Sequence, residues 1–216
     1  MADTMNARLA VVAAAFLAGA CQTAGTAPRA TGTVEVAARE PWRDIATEAD
    51  LDRLERVGSA WEEALAAARR AGFTRQIAAE GPLLDPAAAL PRAAPPPGSY
   101  RCRVIRIGAA PRARAYRAFN PFFCHVGAEG ELLSITKQTG SERPGGYLWE
   151  VASDRLVFLG SMALGTEEIP QPYGEDPTRD MAGIFERVAP FRYRLVIPWP
   201  RGESKLDLIE LVPAIP

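Results

Sequence analysis

Nucleophilic chemistry in this 216-residue chain would have to run through its single histidine, His125, and a serine such as Ser141 or Ser204. A serine hydroxyl attacks only when a neighbouring base takes its proton, so His125 would need to reach one of them. The G-x-S-x-G elbow that presents such a serine is absent, and "GESKL" (202–206) lacks the second glycine. A lone strand histidine more often serves structure, so the three residues stand as weak catalytic candidates. A zinc site would need further ligands beside His125, and its only cysteine neighbour, Cys124, has another use. No metal and no cofactor is expected. Glu167, Glu168, Glu175, Asp176 and Asp180 crowd "TEEIPQPYGEDPTRD", yet no calcium-loop spacing is visible among them. The segment "SITKQTGSERPGG" (134–146) places Lys137, Ser141, Glu142 and Arg143 in a glycine-closed loop at a strand end. Loops on rigid scaffolds often carry binding groups, which makes this the first choice for a binding loop.

Charge offers a second set of candidates. From Pro86 to Ala128 there is no acidic residue, while arginines accumulate. Arg101, Arg103, Arg106, Arg112 and Arg114 could meet anionic lipid headgroups. The competing reading is a solvated strand face whose arginine stems lie over apolar surface. The formal net charge of −1 leaves no excess to draw nucleic acid.

The cysteines fix the expected compartment. One arginine, Arg8, precedes the apolar run 9–17, and "LAGACQTAG" (17–25) follows. That is the layout of a secretory signal covering residues 1–20. Ala18-Gly19-Ala20 suits the ordinary signal peptidase, and residues 17–21 also resemble a bacterial lipobox, in which Cys21 would be acylated. Both cut the same bond. The lipobox match is imperfect, because Leu17 lies four residues before Cys21 rather than three. Of three cysteines two can pair, so an odd one in an oxidising compartment argues for the lipid. The expected address is the periplasmic side of the envelope, held to the membrane by the anchor. Residues 21–40 are small, polar and aperiodic, a tether reaching about 25 Å as a flexible coil. No apolar run approaches the ~20 residues of a membrane-spanning helix.

The elements that position these residues follow from periodicity. Thr47, with Glu48 and Asp50 behind it, begins a helix whose apolar face is Leu51, Leu54, Val57, Trp61, Leu65 and Ala68. Gly72 is placed to end it, and Thr74 to Glu80 forms a second, shorter helix closed by Gly81-Pro82. This helical module (41–81) leads into a proline-rich linker, residues 82–97. Beyond Gly98 the period falls to two, and "SYRCRVIRI" sets Tyr100, Cys102 and Val104 opposite Arg101 and Arg103. Further strands are expected at 114–118, 122–126, 131–137, 146–149, 154–163, 182–188, 192–197 and 206–212, with turns between them, Gly145-Gly146 included. The fold class is α+β: a helical hairpin packed on an antiparallel meander (98–213) of about eight strands. The meander could curl into a barrel or fold into a sandwich; closure removes edge strands and favours the barrel. A hairpin turning near residue 113 would bring Cys102 and Cys124 opposite each other as a disulfide.

The segments "PPPGSYRCRVIRIG", "LLSITKQTGSERPGGYLW", "DRLVFLGSMALG" and "LDLIELVPA" resemble an uncharacterised bacterial envelope family, domain of unknown function 4893, from about Trp42 to Pro213. The resemblance implies no activity and carries no functional residues. The expected function is a non-catalytic binding or interaction module, with an envelope protein or a small ligand as partner. The alternative is a small periplasmic hydrolase using serine with His125.

Overall fold

A computed structural model describes residues 40–109, 115–200 and 204–214. The chain divides into two units, Met1–Ala38 and Arg39–Pro216, and every described residue lies in the second. The leader, Cys21, the tether up to residue 39, Arg112 and Arg114 fall outside the described residues.

Among the described residues four helices come first: α1 (Pro41–Ile45), α2 (Glu48–Glu55), α3 (Val57–Arg70) and α4 (Thr74–Glu80), followed by a 3-10 turn, Gly81–Leu84. Thr47 caps α2 as its sequence suggests, its Oγ1 accepting from the Asp50 amide at 3.2 Å. The single helix expected from Thr47 to Gly72 is broken at Arg56, whose backbone (φ −95°, ψ 16°) leaves the helical region. The apolar face of α2 packs on strands of one wall through Leu54, and that of α3 packs on another through Ala60, Trp61, Ala64 and Leu65. Val57 borders both clusters. The bend lets one apolar stripe follow a curved surface that a straight helix would leave.

That surface is a barrel. Nine strands run β1 (Gly98–Ile107), β2 (Tyr116–Ala118), β3 (Phe122–Glu129), β4 (Leu132–Lys137), β5 (Glu142–Ala152), β6 (Arg155–Leu164), β7 (Asp180–Ala189), β8 (Arg192–Pro198) and β9 (Leu206–Pro213). All pair antiparallel in meander order, and β1 closes on β9 from Tyr100↔Pro213 to Ile107↔Leu206. On its other edge β1 pairs with β3 (Cys102↔Phe122) and then with β2 (Ile105↔Ala118). One extra residue on the β2–β3 side is accommodated between them, so β2 and β3 act as one interrupted strand of an eight-stranded barrel. Cys102 and Cys124 form a disulfide across this hairpin. Tyr100, rather than Cys102, stands opposite Cys124 in the register, so the bridge runs diagonally, with Cα atoms 6.0 Å apart.

Gly145 and Gly146, expected as a turn, lie inside β5, where Gly146 pairs with Gly160 of β6. A Cβ on Gly146 would stand 2.3 Å from the Leu159 carbonyl oxygen, and one on Gly160 2.2 Å from that of Gly145. The two glycines allow an approach of backbones that no side chain would permit.

The interior is filled over most of its length by inward rows that include Tyr100, Cys102, Cys124, Val126, Leu148, Phe158, Phe185, Tyr193, Leu195 and Leu211. The Phe185 and Tyr193 rings stack with centroids 5.9 Å apart, and Tyr100 meets Tyr193 edge-on at 6.1 Å. At that end the proline-rich segment crosses the barrel. Leu90 bridges to Arg187, the Ala93 amide donates to Ser153 O, and Tyr100 Oη donates to Pro96 O at 2.6 Å. Ala93 is buried with the interior residues. Arg194, fully buried and pointing outward from β8, holds the start of the segment. Its Nη1 donates to the carbonyls of Pro82, Leu83 and Asp85, its Nε pairs with Glu186 at 2.7 Å, and its guanidinium lies over the Trp61 ring. The expected linker is thus an end plug bonded to the barrel.

Candidate functional site

Among the described residues the opposite end of the barrel is open. The inward row of β1 continues past Tyr100, Cys102 and Val104 to Arg106, and that of β9 runs back from Leu211 and Ile209 to Asp207. A row in an apolar interior that ends on a charge marks a mouth. Ile197 of β8, Met181 of β7, Met162 and Leu164 of β6, and Glu142 of β5 form its barrel wall. Arg53, Thr178, Arg179, Asp180 and Pro200 complete the lining of a cavity of about 270 Å³. A second hollow of about 320 Å³ adjoins it, lined by Val104, Phe119, Phe122, Lys137, Thr139 and Gly140. Arg106 and Glu142 line both cavities and divide them.

Arg106 is the organising group of this mouth. Its Nε donates to Asp207 Oδ2 at 3.1 Å, and its Nη2 donates to Glu142 Oε2 at 3.3 Å. Asp207 is buried and also accepts at Oδ1 from the buried Ser204 hydroxyl. Burial pushes its carboxyl above the ordinary range, against the opposing pull of the Ser204 bond and the Arg106 charge. Glu142 is different: its side chain is 58% exposed, and the Arg106 side chain that it meets is 40% exposed. One carboxylate therefore anchors the guanidinium from within while the other touches it from the solvent side. Lys137 Nζ lies over the Phe122 ring and donates to Glu142 O at 2.6 Å. Burial is the largest influence on Lys137 and lowers its pKa, with the Glu142 charge opposing.

Sequence-derived candidates distribute unevenly around this site. Lys137 lines the second hollow, but Ser141 is exposed on the β4–β5 turn. Arg143 ties that turn to the β6–β7 connection, donating to the carbonyls of Gly140, Gly165 (2.9 Å) and Glu167. It serves the loop's shape. Ser204 is committed to Asp207, whereas His125 is exposed and points outward from β3, opposite in phase to the buried Cys124 and Val126. The structure does not bring His125 together with either serine. Among the arginines, Arg101 is exposed on the outer wall. Arg103 is held by Glu80 at 2.6 Å and Glu210 at 2.7 Å, and Arg106 belongs to the mouth. Among the described residues no group of three or more His, Cys, Asp and Glu is placed to hold a metal ion. No described helix is long and apolar enough to cross a membrane.

Asp207, Met162, Met181 and Ile197 escaped the sequence reading, whereas Glu142 belongs to the expected binding loop and does line the mouth. The signal that could have placed Arg106 inward and found Asp207 was the alternation itself: each extends a buried row of its strand.

The described residues define a closed antiparallel meander barrel, flanked by helices, plugged at one end by its own chain and open at the other onto a charged mouth. The chain belongs to the domain of unknown function family DUF4893, whose model matches residues 42–211. No curated protein and no solved structure matches it.

Proposed function

We propose that this is an exported, lipid-anchored envelope protein that works as a non-catalytic binding module, taking a small ligand at the open mouth of its barrel. The observation that carries the reading is the asymmetry of the barrel. One end is packed and plugged, while the other presents apolar walls around a few convergent polar groups, the usual composition of a small-molecule site. A hydrolase would need a base beside a nucleophile at a cleft, and His125 faces away from the mouth. The export part rests on the leader and on the Cys102–Cys124 disulfide, a bond that persists in oxidising compartments.

Two measurements test the two halves. Intact mass of the membrane-extracted protein is expected to show a chain beginning at an acylated Cys21, and an unmodified Cys21 would remove the anchor. An environment-sensitive apolar fluorophore added to the full chain is expected to brighten and to lose most of that signal in Leu164→Trp, which fills the rim. Unchanged fluorescence in that variant would move binding away from the mouth.

A further inference from the structure

We propose that the mouth recognises a small carboxylate with an apolar body, its carboxylate taking the place on Arg106 that Glu142 holds in this structure. The inference rests on the reading of the mouth as a binding site and names the chemistry of its ligand.

Three observations carry it. First, Arg106 is pre-positioned. An arginine held through Nε keeps its Nη edge at a fixed angle, the arrangement that matches a planar carboxylate. Asp207 provides that hold from a buried position, and Ser204 fixes Asp207 in turn. Second, the outer partner of that edge is itself a carboxylate, and a weakly held one. Glu142 meets Arg106 at 3.3 Å with more than half of its side chain in solvent, and exposed pairs of this kind contribute little. It stands at the division between the two cavities, where an incoming anion would arrive. Third, the surroundings are apolar on the barrel side. Met162, Leu164, Met181 and Ile197 offer a wall for hydrocarbon within about 270 Å³, space for a short chain rather than a long one, while Arg53, Thr178, Arg179 and the buried Asp180 line the remainder.

The other cations of the wall lack this arrangement. Arg53 is paired with Asp50, and Arg179 with Glu167 (2.6 Å) and Asp176 (3.2 Å), carboxylates that do not line the cavity. Arg106 is bonded to two that do. Lys137 beside it gives one of its three protons to Glu142 O, and its ammonium adds positive potential on the second-hollow side.

Calorimetric titration of the full chain with sodium octanoate, 1-octanol and inorganic phosphate tests the inference. Octanoate is expected to bind at least tenfold more tightly than octanol, and phosphate more weakly than either. Arg106→Gln is expected to weaken octanoate tenfold or more while leaving octanol unchanged. Since that variant strips Asp207 of a partner and could fail to fold, Glu142→Gln at an exposed position carries the decisive arm. Removing the internal competitor should tighten octanoate several-fold without changing octanol. Equal binding of octanoate and octanol, with no effect of Glu142→Gln, overturns the carboxylate assignment and leaves the mouth as a site for neutral apolar ligands. Phosphate binding as tightly as octanoate overturns the apolar body. Binding that Leu164→Trp does not alter, or no binding of any probe, ends the mouth reading itself.

Discussion

Asp207 and Arg194 show two uses of a buried charge. Burial holds the Asp207 carboxyl above its ordinary value of 3.8, so the folded protein keeps a proton that the unfolded chain has already released. Stability from this group is present below that ordinary value and is lost as pH rises through the higher folded value. The amide introduced by Asp207→Asn cannot titrate and loses nothing over the same interval. The variant's deficit in urea midpoint against the wild type is therefore expected to be larger at pH 4 than at pH 7, and a deficit that grows with pH would contradict this. Arg194 is the opposite case, a cation with nearly every donor engaged. Replacing it by alanine leaves Glu186 buried without its partner and the carbonyls of residues 82, 83 and 85 unbonded. A loss of about 3–5 kcal/mol is expected from denaturant titration. Arg194→Lys should recover only part of it, because an ammonium cannot reproduce the fork.

The elements were legible where a local period decides them, and obscure where tertiary geometry does. Each of the nine strands has a counterpart among the expected ones, β1 by clean alternation and β6, β8 and β9 as apolar runs between turn residues, and the cap at Thr47 shows by its own chemistry. The break at Arg56 leaves no such mark. It follows from the curvature of a wall built by strands distant in the sequence, from Ile105 of β1 to Leu208 of β9, and the apolar stripe of α2 and α3 is continuous across it. Gly145-Gly146 misled for a related reason. Adjacent glycines favour turns, but here they serve close packing of β5 against β6, a demand that only the partner strand reveals. Gly160→Ala should therefore destabilise the barrel by about 3 kcal/mol or more, as its Cβ would meet backbone that cannot yield. A urea midpoint equal to that of the wild type would show that the strands can part. The site was the least visible part: Lys137 and Arg106 were singled out for a loop and a surface, and only closure of β1 on β9 sets Arg106 beside Asp207.

At the scale of the whole molecule, the barrel and its helices hold together as one body with a covalent brace. Cys102 and Cys124 are 22 residues apart, and closing a loop of that size limits the unfolded chain by about 3 kcal/mol in the entropic model. Reductant is expected to lower the urea midpoint accordingly, and no shift would place the brace outside the stability of the fold. The anchorage of the proline-rich segment by Arg194 has a further consequence for synthesis. A ribosome releases the helices and that segment long before β8 exists, so the carbonyls of Pro82, Leu83, Asp85 and Pro86 must wait for a guanidinium more than a hundred residues downstream. The part of the polypeptide born first is the part that settles last, and a protease offered chains halted before residue 194 should find the early segment open.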